Sequence, residues 1–215
     1  MPKEKPDYGV SAGKTAITRR AISVPTRELI AAGRISQSSS VLNHGRGKAD
    51  DDAVALAQLA SSYAEYDPNY SPDRASLDQR YDVVVSNYVL NVLPPDVRKL
   101  AWEDIAQATG GVAYITVRSS GDKGIRGKKY KDGVITSIGT FQKGFTATGL
   151  TREAKKYFGK VEVIMGRPTG ISWTIAASEP KIAGPGEFEN PQKQVDNALE
   201  EEIADIRRRA GIETG

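Results

Sequence analysis

The sequence has no cysteine, one histidine and two methionines. The lack of cysteine excludes disulfides, thiolate catalysis and cysteine-rich zinc sites, and a single histidine excludes a multi-histidine metal centre, so we expect no metal site. No apolar run reaches the roughly 20 residues that cross a bilayer, and the first residues, MPKEK, lack the apolar core of a signal peptide. We expect a cytoplasmic protein that does not bind membranes.

The composition indicates one folded domain with an appendage. The chain has 215 residues, of which 39% are hydrophobic and 27% charged, so neither a wholly disordered nor a fibrous protein fits. Lys and Arg number 30 against 27 Asp and Glu, a formal net charge of +3. This balance is compatible with an anionic partner but does not require one.

Apolar patterns predict alternating strands and helices. The clearest strand is 81–85, Tyr-Asp-Val-Val-Val, whose β-branched run is typical of a strand buried on both faces of a parallel sheet. Further strands are predicted at 40–43, 63–66, 112–117, 133–136, 161–165 and 173–177. Helices are predicted from Pro25 to the residue before Gly33 and at 151–158. A helix that begins at Asp50 has Leu56, Leu59, Ala60 and Tyr63 on one face. Another helix runs from Pro95 to Ala108 and is predicted to end because of Gly110 and Gly111.

This alternation predicts an α/β fold with a doubly wound, Rossmann-like sheet. The sheet is expected to be mostly parallel, with a C-terminal antiparallel hairpin formed by 161–165 and 173–177. We expect a flexible or cofactor-covering arm at 1–22, the domain at 23–179, a linker at 180–192 and an amphipathic helix at 193–215. The helix would dock on its own domain or on a second copy of the chain.

A glycine turn and an acidic residue predict a nucleoside-containing cofactor. Gly45 and Gly47 follow the first strand, where small residues let the backbone approach a ligand. Asp67 lies 20 residues beyond Gly47, at the end of the second strand, where a carboxylate accepts hydrogen bonds from ribose hydroxyls. The acidic run 50–52 would repel a pyrophosphate, so S-adenosylmethionine is favoured over a nicotinamide dinucleotide, which stays the alternative.

Several segments together carry a family resemblance. They are GKTAITR at 13–19, SVLNHGRGK at 40–48, YDPNY at 66–70, DVVVSNYVLNV at 82–92, DGVIT at 132–136 and GTFQK at 139–143. On these segments the chain resembles class I S-adenosylmethionine-dependent methyltransferases. More narrowly, it resembles methyltransferases encoded beside DNA phosphorothioation genes and related phage-encoded proteins.

The resemblance implies roles for individual residues. It implies that Gly45 and Gly47 approach S-adenosylmethionine, that Asp67 holds its ribose, and that Asn87 and Tyr88 line its adenine and methyl-donor side. Asn43 and His44 belong to the same cofactor turn.

The chain departs from the family pattern at three places. Asn43 stands where the family usually has an acid that helps to hold the cofactor's ammonium group, and Ala49 stands where it usually has glycine. Asn43 can still accept a hydrogen bond but without charge assistance. Tyr81 lies only 14 residues beyond Asp67, so we expect the usual third strand to be missing or rudimentary.

Asn87 and Tyr88 are the candidate catalytic residues. They stand where enzymes that methylate amino groups of nucleic acids carry a polar residue, two prolines and an aromatic residue; the prolines are absent here. Asn87 would orient the target amine and Tyr88 would stack on a base, or both would only wall the cofactor pocket. His44 would act as a general base or would simply pack against the cofactor.

A basic segment at 118–131 is the candidate acceptor-binding surface. Its basic residues are Arg118, Lys123, Arg126, Lys128, Lys129 and Lys131, against the single acid Asp122. With Tyr130 among them they could follow a phosphate backbone and stack on a base, or they could form a solvated loop. Gln142 and Lys143 either face the substrate or are surface neighbours of a buried Phe141.

The sequence is compatible with three functions. The first is a methyltransferase that acts on nucleic acid, DNA rather than RNA. The second is a non-catalytic module that keeps the fold and acts in DNA transactions, which Asn43 and the missing prolines favour. The third is a small-molecule methyltransferase, for which the basic segment would be incidental.

Overall fold

The computed structural model describes residues 10–15 and 21–184, and helices alternate with strands through most of this range. The helices are α1 (Val10–Gly13), α2 (Val24–Ala31), α3 (Asp51–Leu59), α4 (Pro95–Ala108) and α5 (Ala147–Ala154). The strands are β1 (Ser40–His44), β2 (Ser62–Tyr66), β3 (Tyr81–Asn87), β4 (Thr109–Arg118), β5 (Lys128–Tyr130), β6 (Gly133–Ile135), β7 (Phe141–Gln142), β8 (Phe158–Gly166) and β9 (Ser172–Pro180). Short 3-10 helices at Arg74–Leu77 and Leu90–Val92 flank β3 in the chain.

The main sheet has six strands in the order β2-β1-β3-β4-β9-β8. Its first four strands are parallel, whereas β9 runs antiparallel to both β4 and β8. The predicted α/β sheet with a C-terminal antiparallel hairpin is therefore confirmed. Within the described ranges no strand lies beyond β2 at that edge, and the 3-10 helix Arg74–Leu77 occupies the segment before β3. The expected loss of the usual third strand is confirmed too.

The parallel strands are buried on both faces. On β3, Val84 packs in one apolar cluster with Ile105 of α4, whereas Val83 and Val85 pack in another with Leu56 of α3. Successive side chains of a strand point to opposite faces, so this alternation places one helical layer on each side of the sheet.

Two predictions about helix ends are wrong. α3 ends at Leu59, so Tyr63 does not lie on its apolar face; Tyr63 lies in β2, the strand predicted at 63–66, and packs against the same apolar cluster as α3. α4 ends at Ala108 as predicted, but Gly110 and Gly111 lie within β4. The residue before them already has an extended backbone, so the chain passes from helix to strand without a glycine turn.

The helix predicted at 151–158 lies four residues earlier, at Ala147–Ala154. Thr146 caps it, since its Oγ1 accepts a hydrogen bond from the backbone N–H of Gly149 at 3.0 Å. The start was predicted too late because Gly149, a poor helix former, lies in the first turn of this helix. Phe158 begins β8 instead of ending the helix.

The basic segment is not entirely a loop. Its end forms β5, which pairs with β6, and β6 pairs with β7 in a separate three-stranded antiparallel sheet. The predicted extended piece at 133–136 is β6.

At the C-terminal side the packing continues past the predicted boundary at residue 179, because Ile182 packs against the core. The rest of the predicted linker and the predicted helix at 193–215 lie outside the described residues, as do 1–9 and 16–20 of the predicted arm. No helix in the part that the structure describes has the length and apolar character of a membrane-crossing segment.

Candidate active site

A cavity of about 400 Å³ lies at the carboxyl ends of the parallel strands, the edge at which α/β sheets bind ligands. The predicted site residues that line it are Asn43, His44, Gly45, Gly47, Asp67, Asn87, Tyr88, Arg118 and Gln142. Those that do not are Lys123, Arg126, Lys128, Lys129, Lys131 and Lys143. The structure therefore brings the predicted cofactor residues together and separates most of the basic segment from them.

The turn from β1 to α3 needs its glycines. Gly45 and Gly47 have φ angles of +76° and +69°, in the left-handed region that residues with a Cβ avoid. A Cβ on Gly45 would also lie 2.1 Å from Cγ2 of Val89, whereas nothing lies within 4 Å of a Cβ built on Gly47. The backbone at Gly47 is therefore open to a ligand.

Asp67 ties the end of β2 to this turn. Its Oδ2 accepts a hydrogen bond from Gly47 N at 3.0 Å, and its Oδ1 accepts from Asn69 N at 2.8 Å and Tyr70 N at 3.2 Å. The residue is 7% exposed and lines the cavity. Carboxylate oxygens accept several hydrogen bonds, so Asp67 can both hold the turn and receive ribose hydroxyls.

Asn43 belongs to a polar chain that runs away from its strand. Its Nδ2 donates to Tyr63 Oη at 3.2 Å, that hydroxyl donates to Glu65 Oε2 at 2.8 Å, and Arg46 Nε donates to Glu65 Oε1 at 3.2 Å. Burial raises the pKa of the Tyr63 hydroxyl above its ordinary value, so the phenol stays protonated and donates. Glu65 is thus the acid nearest to Asn43 in the sheet register, but Arg46 neutralises it.

Two carboxylates at the start of α3 also line the cavity, and they differ in their partners. Asp52 accepts hydrogen bonds from Ser23 N and Oγ, both at 2.6 Å, and from Thr26 Oγ1 at 2.9 Å. Asp51 has no side-chain hydrogen bond or ion pair within residues 10–15 and 21–184. The sequence indicated Asp51 only as part of the acidic run that disfavours a pyrophosphate, yet it is a carboxylate that lines the cavity and has no partner among the described residues.

Two side chains that line the cavity hold buried polar atoms without a hydrogen-bond partner in the described part of the chain: His44 Nε2 and Asn87 Oδ1. Nδ1 of His44 lies 3.4 Å from Ser86 Oγ, and Asn87 Nδ2 donates to Thr26 Oγ1 at 2.9 Å. Burial lowers the pKa of His44, so its ring is neutral at pH 7. Buried polar atoms usually have partners, and a ligand in the cavity would supply them.

Tyr88 has a strained backbone at the end of β3. Its φ is +62°, a conformation that a residue with a large side chain rarely adopts, and its N–H donates to Thr116 O at 2.7 Å. Such strain persists where the surrounding structure fixes it, and it is concentrated at functional sites. Tyr88 lines the cavity directly beside Asn87.

The described residues of the predicted arm contribute to the cavity wall. Ala12, Gly13 and Thr15 line it, and Tyr70 Oη donates to Gly13 O at 2.9 Å. This contact joins α1 to the loop that follows β2.

The residues of the basic segment fall into three groups. Arg118 lines the cavity and pairs with Asp122, and Lys131 pairs with Asp96 outside the cavity. Arg126 Nε donates to the carbonyl of Lys123 at 3.0 Å. Lys123, Lys128 and Lys129 are exposed, and their side chains make no ion pair within the described ranges.

Lys143 does not face the cavity. Its Nζ donates to Asp132 Oδ2 and to Glu153 Oε1, both at 2.7 Å, and lies 4.1 Å from the centre of the Phe145 ring. Phe141 is buried, as expected for the core alternative, while its neighbour Gln142 lines the cavity. The sequence motif therefore contains one cavity residue and one residue of an ion-pair network.

Asp122, Asn91 and Ile171 line the cavity but were not predicted for the site. Asp122 had a signal, since it is the single acid of the basic segment and lies four residues after Arg118. Asn91 had one too, since it lies in the segment 82–92 that carries the family resemblance, whereas Ile171 had none, because only the fold brings it to this edge. No group of three or more His, Asp or Glu residues in the described part of the chain is placed to hold a metal ion.

Comparison of the sequence with protein-family models and with curated proteins gives no match. Solved structures do match. One is Burkholderia thailandensis 1,6-didemethyltoxoflavin-N1-methyltransferase with bound 1,6-didemethyltoxoflavin and S-adenosylhomocysteine: 17% identity, TM-score 0.50, covering 72% of this chain and 76% of that one.

Two further structures have a TM-score of 0.51. The N-terminal domain of EvdMO1 with S-adenosylhomocysteine bound is 14% identical and covers 74% of this chain and 83% of that one. A protein studied in the conversion of a disulfide bond into a thioacetal group during echinomycin biosynthesis is 16% identical and covers 88% of this chain and 94% of that one.

The chain has the Rossmann-like fold of class I methyltransferases. At these identities the likeness concerns the fold, and activity must be argued from the site. None of these structures bears on the narrower resemblance to phosphorothioation-associated and phage-encoded proteins, which stays a prediction.

Proposed function

We propose that this protein is an S-adenosylmethionine-dependent methyltransferase whose acceptor is a nucleic acid, DNA rather than RNA. The observation that carries the proposal is the cavity itself. At the carboxyl edge of this fold it joins a glycine turn open to a ligand, a buried Asp67 and two buried polar atoms that have no partner in the described part of the chain.

The residues present fit S-adenosylmethionine. Asp67 would accept the ribose hydroxyls, and the backbone at Gly47 would lie against the cofactor. Asp51 would face the ammonium group and so replace the acidic residue that the family usually has at the position of Asn43. Arg46 and Lys48 line the cavity together with Asp51, Asp52 and Asp67, and the unpaired carboxylate of Asp51 suits a cofactor with an ammonium better than one with a pyrophosphate. Two of the three structures described above contain S-adenosylhomocysteine.

The chain's own part in the reaction would be orientation. When bound, S-adenosylmethionine supplies a methyl group on a positively charged sulfur, which makes the group susceptible to direct attack by an acceptor lone pair. Asn87 Oδ1 would accept a hydrogen bond from the acceptor and aim that lone pair. The buried, neutral His44 lines the cavity and would hold the site in shape.

The nucleic-acid acceptor is supported by the exposed side chains of β5, the edge strand of the small sheet. Lys128 and Lys129 are exposed on β5 without ion-pair partners in the described residues, and Tyr130 beside them is 45% exposed. Lysine ammoniums can follow a phosphate backbone and an exposed tyrosine ring can stack on a base.

Two observations favour other functions. Asn43 removes a charge at the cofactor turn, which favours a module that binds S-adenosylmethionine without catalysis. The toxoflavin-precursor enzyme of the same fold contains a small heterocycle, which favours a small-molecule acceptor.

Transfer of radiolabelled methyl groups from S-adenosylmethionine to DNA, RNA and a small-molecule extract tests the proposal. We expect label in DNA, with a KM that rises in the double variant Lys128→Gln/Lys129→Gln. In this variant the slope of log KM against log salt concentration should fall by about 2, because each lost phosphate contact removes about 0.9 from that slope. The control Lys155→Gln/Lys156→Gln, also exposed, should change neither.

The other results each contradict the proposal in a different place. Label only in small molecules would exclude the nucleic-acid acceptor. Saturable cofactor binding without transfer to any pool would favour the non-catalytic module.

A further inference from the structure

The cavity has a second half with different chemistry from the cofactor half. The glycine turn and Asp67 lie at the ends of β1 and β2, whereas Arg118 ends β4 and Ile171 directly precedes β9. In the sheet order β2-β1-β3-β4-β9, the strand between these halves is β3, which ends in Asn87. The half at β4 and β9 is thus on the acceptor side of the residue proposed to orient the acceptor.

Arg118 is held in one position in this half. Its Nε donates to Asp122 Oδ2 at 2.7 Å, and its Nη1 donates to Gln142 Oε1 at 3.4 Å. Its backbone N–H donates to the side chain of the buried Asn91 at 3.2 Å. The side chains of Arg118 and Asp122 are only 27% and 14% exposed, so this geometry exists before any ligand binds.

Hydrogen-bond donors remain unused at this position. Asp122 Oδ2 also contacts Nη2 of Arg118 at 2.7 Å, which still leaves one N–H on Nη1 and one on Nη2 without a partner among the described residues, and the amide nitrogen of Gln142 has none there either. Asp122 neutralises the positive charge of Arg118, so a free anion gains little here. Parallel N–H donors with little net charge match a flat ligand edge that presents neighbouring acceptor atoms.

We propose that Arg118 and Gln142 form an acceptor subsite for a planar heterocycle that carries a carbonyl oxygen next to a ring-nitrogen acceptor. Asp122 is the positioning residue that orients Arg118. This inference rests on the proposed function, because it assigns the acceptor of the same site. The same edge occurs in a free heterocycle and in a base of a polynucleotide, for example O6 and N7 of guanine, which arginine reads with two hydrogen bonds.

Calorimetric titration of the protein saturated with S-adenosylhomocysteine tests the subsite. The probes are guanosine and cytidine, which have the proposed edge, adenosine, which lacks the carbonyl, and a guanine-containing single-stranded DNA of about 12 nucleotides. We expect guanosine or cytidine to bind more tightly than adenosine. Arg118→Lys should raise that Kd by about tenfold or more, and leave the Kd of S-adenosylhomocysteine within about twofold.

Gln142→Ala provides a second variant in case Arg118→Lys perturbs folding, and it should also weaken the nucleoside more than the cofactor product. Asp122→Asn should weaken nucleoside binding as well, because it removes the carboxylate that orients Arg118. The matched control Arg152→Lys should bind the nucleoside as the wild type does. Arg152 is exposed on α5 and does not line the cavity.

The outcomes separate the two proposals. Absence of S-adenosylhomocysteine binding would overturn the proposed function and this inference with it. Cofactor-product binding without preference for guanosine or cytidine over adenosine, or with no loss in Arg118→Lys and Gln142→Ala, would overturn this inference alone. Equal binding of nucleoside and oligonucleotide would support a free heterocycle, and tighter, salt-dependent binding of the oligonucleotide would support a polynucleotide base.

Discussion

Two polar regions of this molecule differ in how their groups are paired. The ion-pair cluster (Arg98, Asp132, Lys143 and Glu153) joins α4, α5 and the segment that holds β6 and β7. Arg98 Nε donates to Glu153 Oε2 at 3.0 Å and Arg98 also bonds Asp132, while Lys143 bridges the two carboxylates. Burial alone would raise the pKa of Asp132 and Glu153, but hydrogen bonds from Lys143 and the charge of Arg98 lower both overall.

The cavity contains the opposite arrangement. His44 Nε2 and Asn87 Oδ1 are buried there without partners in the described residues, and Asp51 has an unpaired carboxylate. The third unpartnered buried atom in those ranges, Trp173 Nε1, does not line the cavity. A fully paired cluster has no capacity left for a ligand and stabilises the fold, whereas unpaired buried groups indicate where a ligand completes the structure.

Asp67→Ala should produce the largest change, because it removes the carboxylate from the cofactor half. The variant loses charge-assisted hydrogen bonds to ribose and the acceptor that orders the glycine turn. We expect the Kd of S-adenosylhomocysteine, measured by calorimetry, to rise about 100-fold or more. Asp78→Asn, an exposed acid without a side-chain partner in the described chain, is the control. Unchanged binding in Asp67→Ala would remove the site assignment.

Glu153→Gln should act on the other region and leave binding intact. The change removes the carboxylate that receives Arg98, Lys143 and Trp102 Nε1. We expect the free energy of unfolding in urea at pH 7 to fall by about 2 kcal/mol. The Kd of S-adenosylhomocysteine should not move, and a parallel loss of binding would show that the two regions are not separate.

Asp51→Asn tests whether this carboxylate has taken over the role missing at Asn43. Loss of its charge should raise the Kd of S-adenosylmethionine, measured by calorimetry, about tenfold, because a charge-assisted contact becomes a neutral one. Asp50→Asn is a close control, since Asp50 pairs with Arg46 and does not line the cavity. Equal losses in both variants would argue for a general helix-start effect instead.

The pH dependence of stability gives the smallest effect. Burial lowers the pKa of His44 in the folded state below its ordinary value of 6.5, so the unfolded chain binds a proton more readily. Stability from this group is therefore present above pH 6.5 and is lost as the pH falls below it. Because the chain has one histidine, the difference in the free energy of unfolding in urea between pH 7.5 and pH 5.5 reports on His44. Wild type should lose more stability than His44→Gln, and equal losses would exclude a neutral buried His44.

Much of the fold could be predicted because its signals are local. The β-branched run 81–85 indicates a doubly buried strand on its own, and Gly45, Gly47 and Asp67 follow their strands at a spacing that the fold dictates. The missing third strand followed from a segment too short to contain it. The predicted start of α5 was wrong because Gly149, a poor helix former, follows the capping residue Thr146 within the first turn.

The partners of charged residues could not be predicted in the same way. Lys143 belongs to the ion-pair cluster through Glu153 and Asp132, and Arg98 reaches Glu153 across 55 residues of chain. A basic residue near a motif therefore does not reveal whether it faces a ligand or an acid. Arg118 lines the cavity and Lys143 does not, although both were predicted for the acceptor.

Calorimetric titration of the wild-type protein with S-adenosylmethionine, S-adenosylhomocysteine and NAD tests the assignment of the cavity most directly. We expect saturable binding of the first two at one site and none of NAD, because the carboxylate of Asp51 opposes a pyrophosphate and suits a nucleoside with a cationic tail. Failure of both S-adenosyl compounds to bind, or equal binding of NAD, would contradict the proposal that this cavity is a methyltransferase cofactor site.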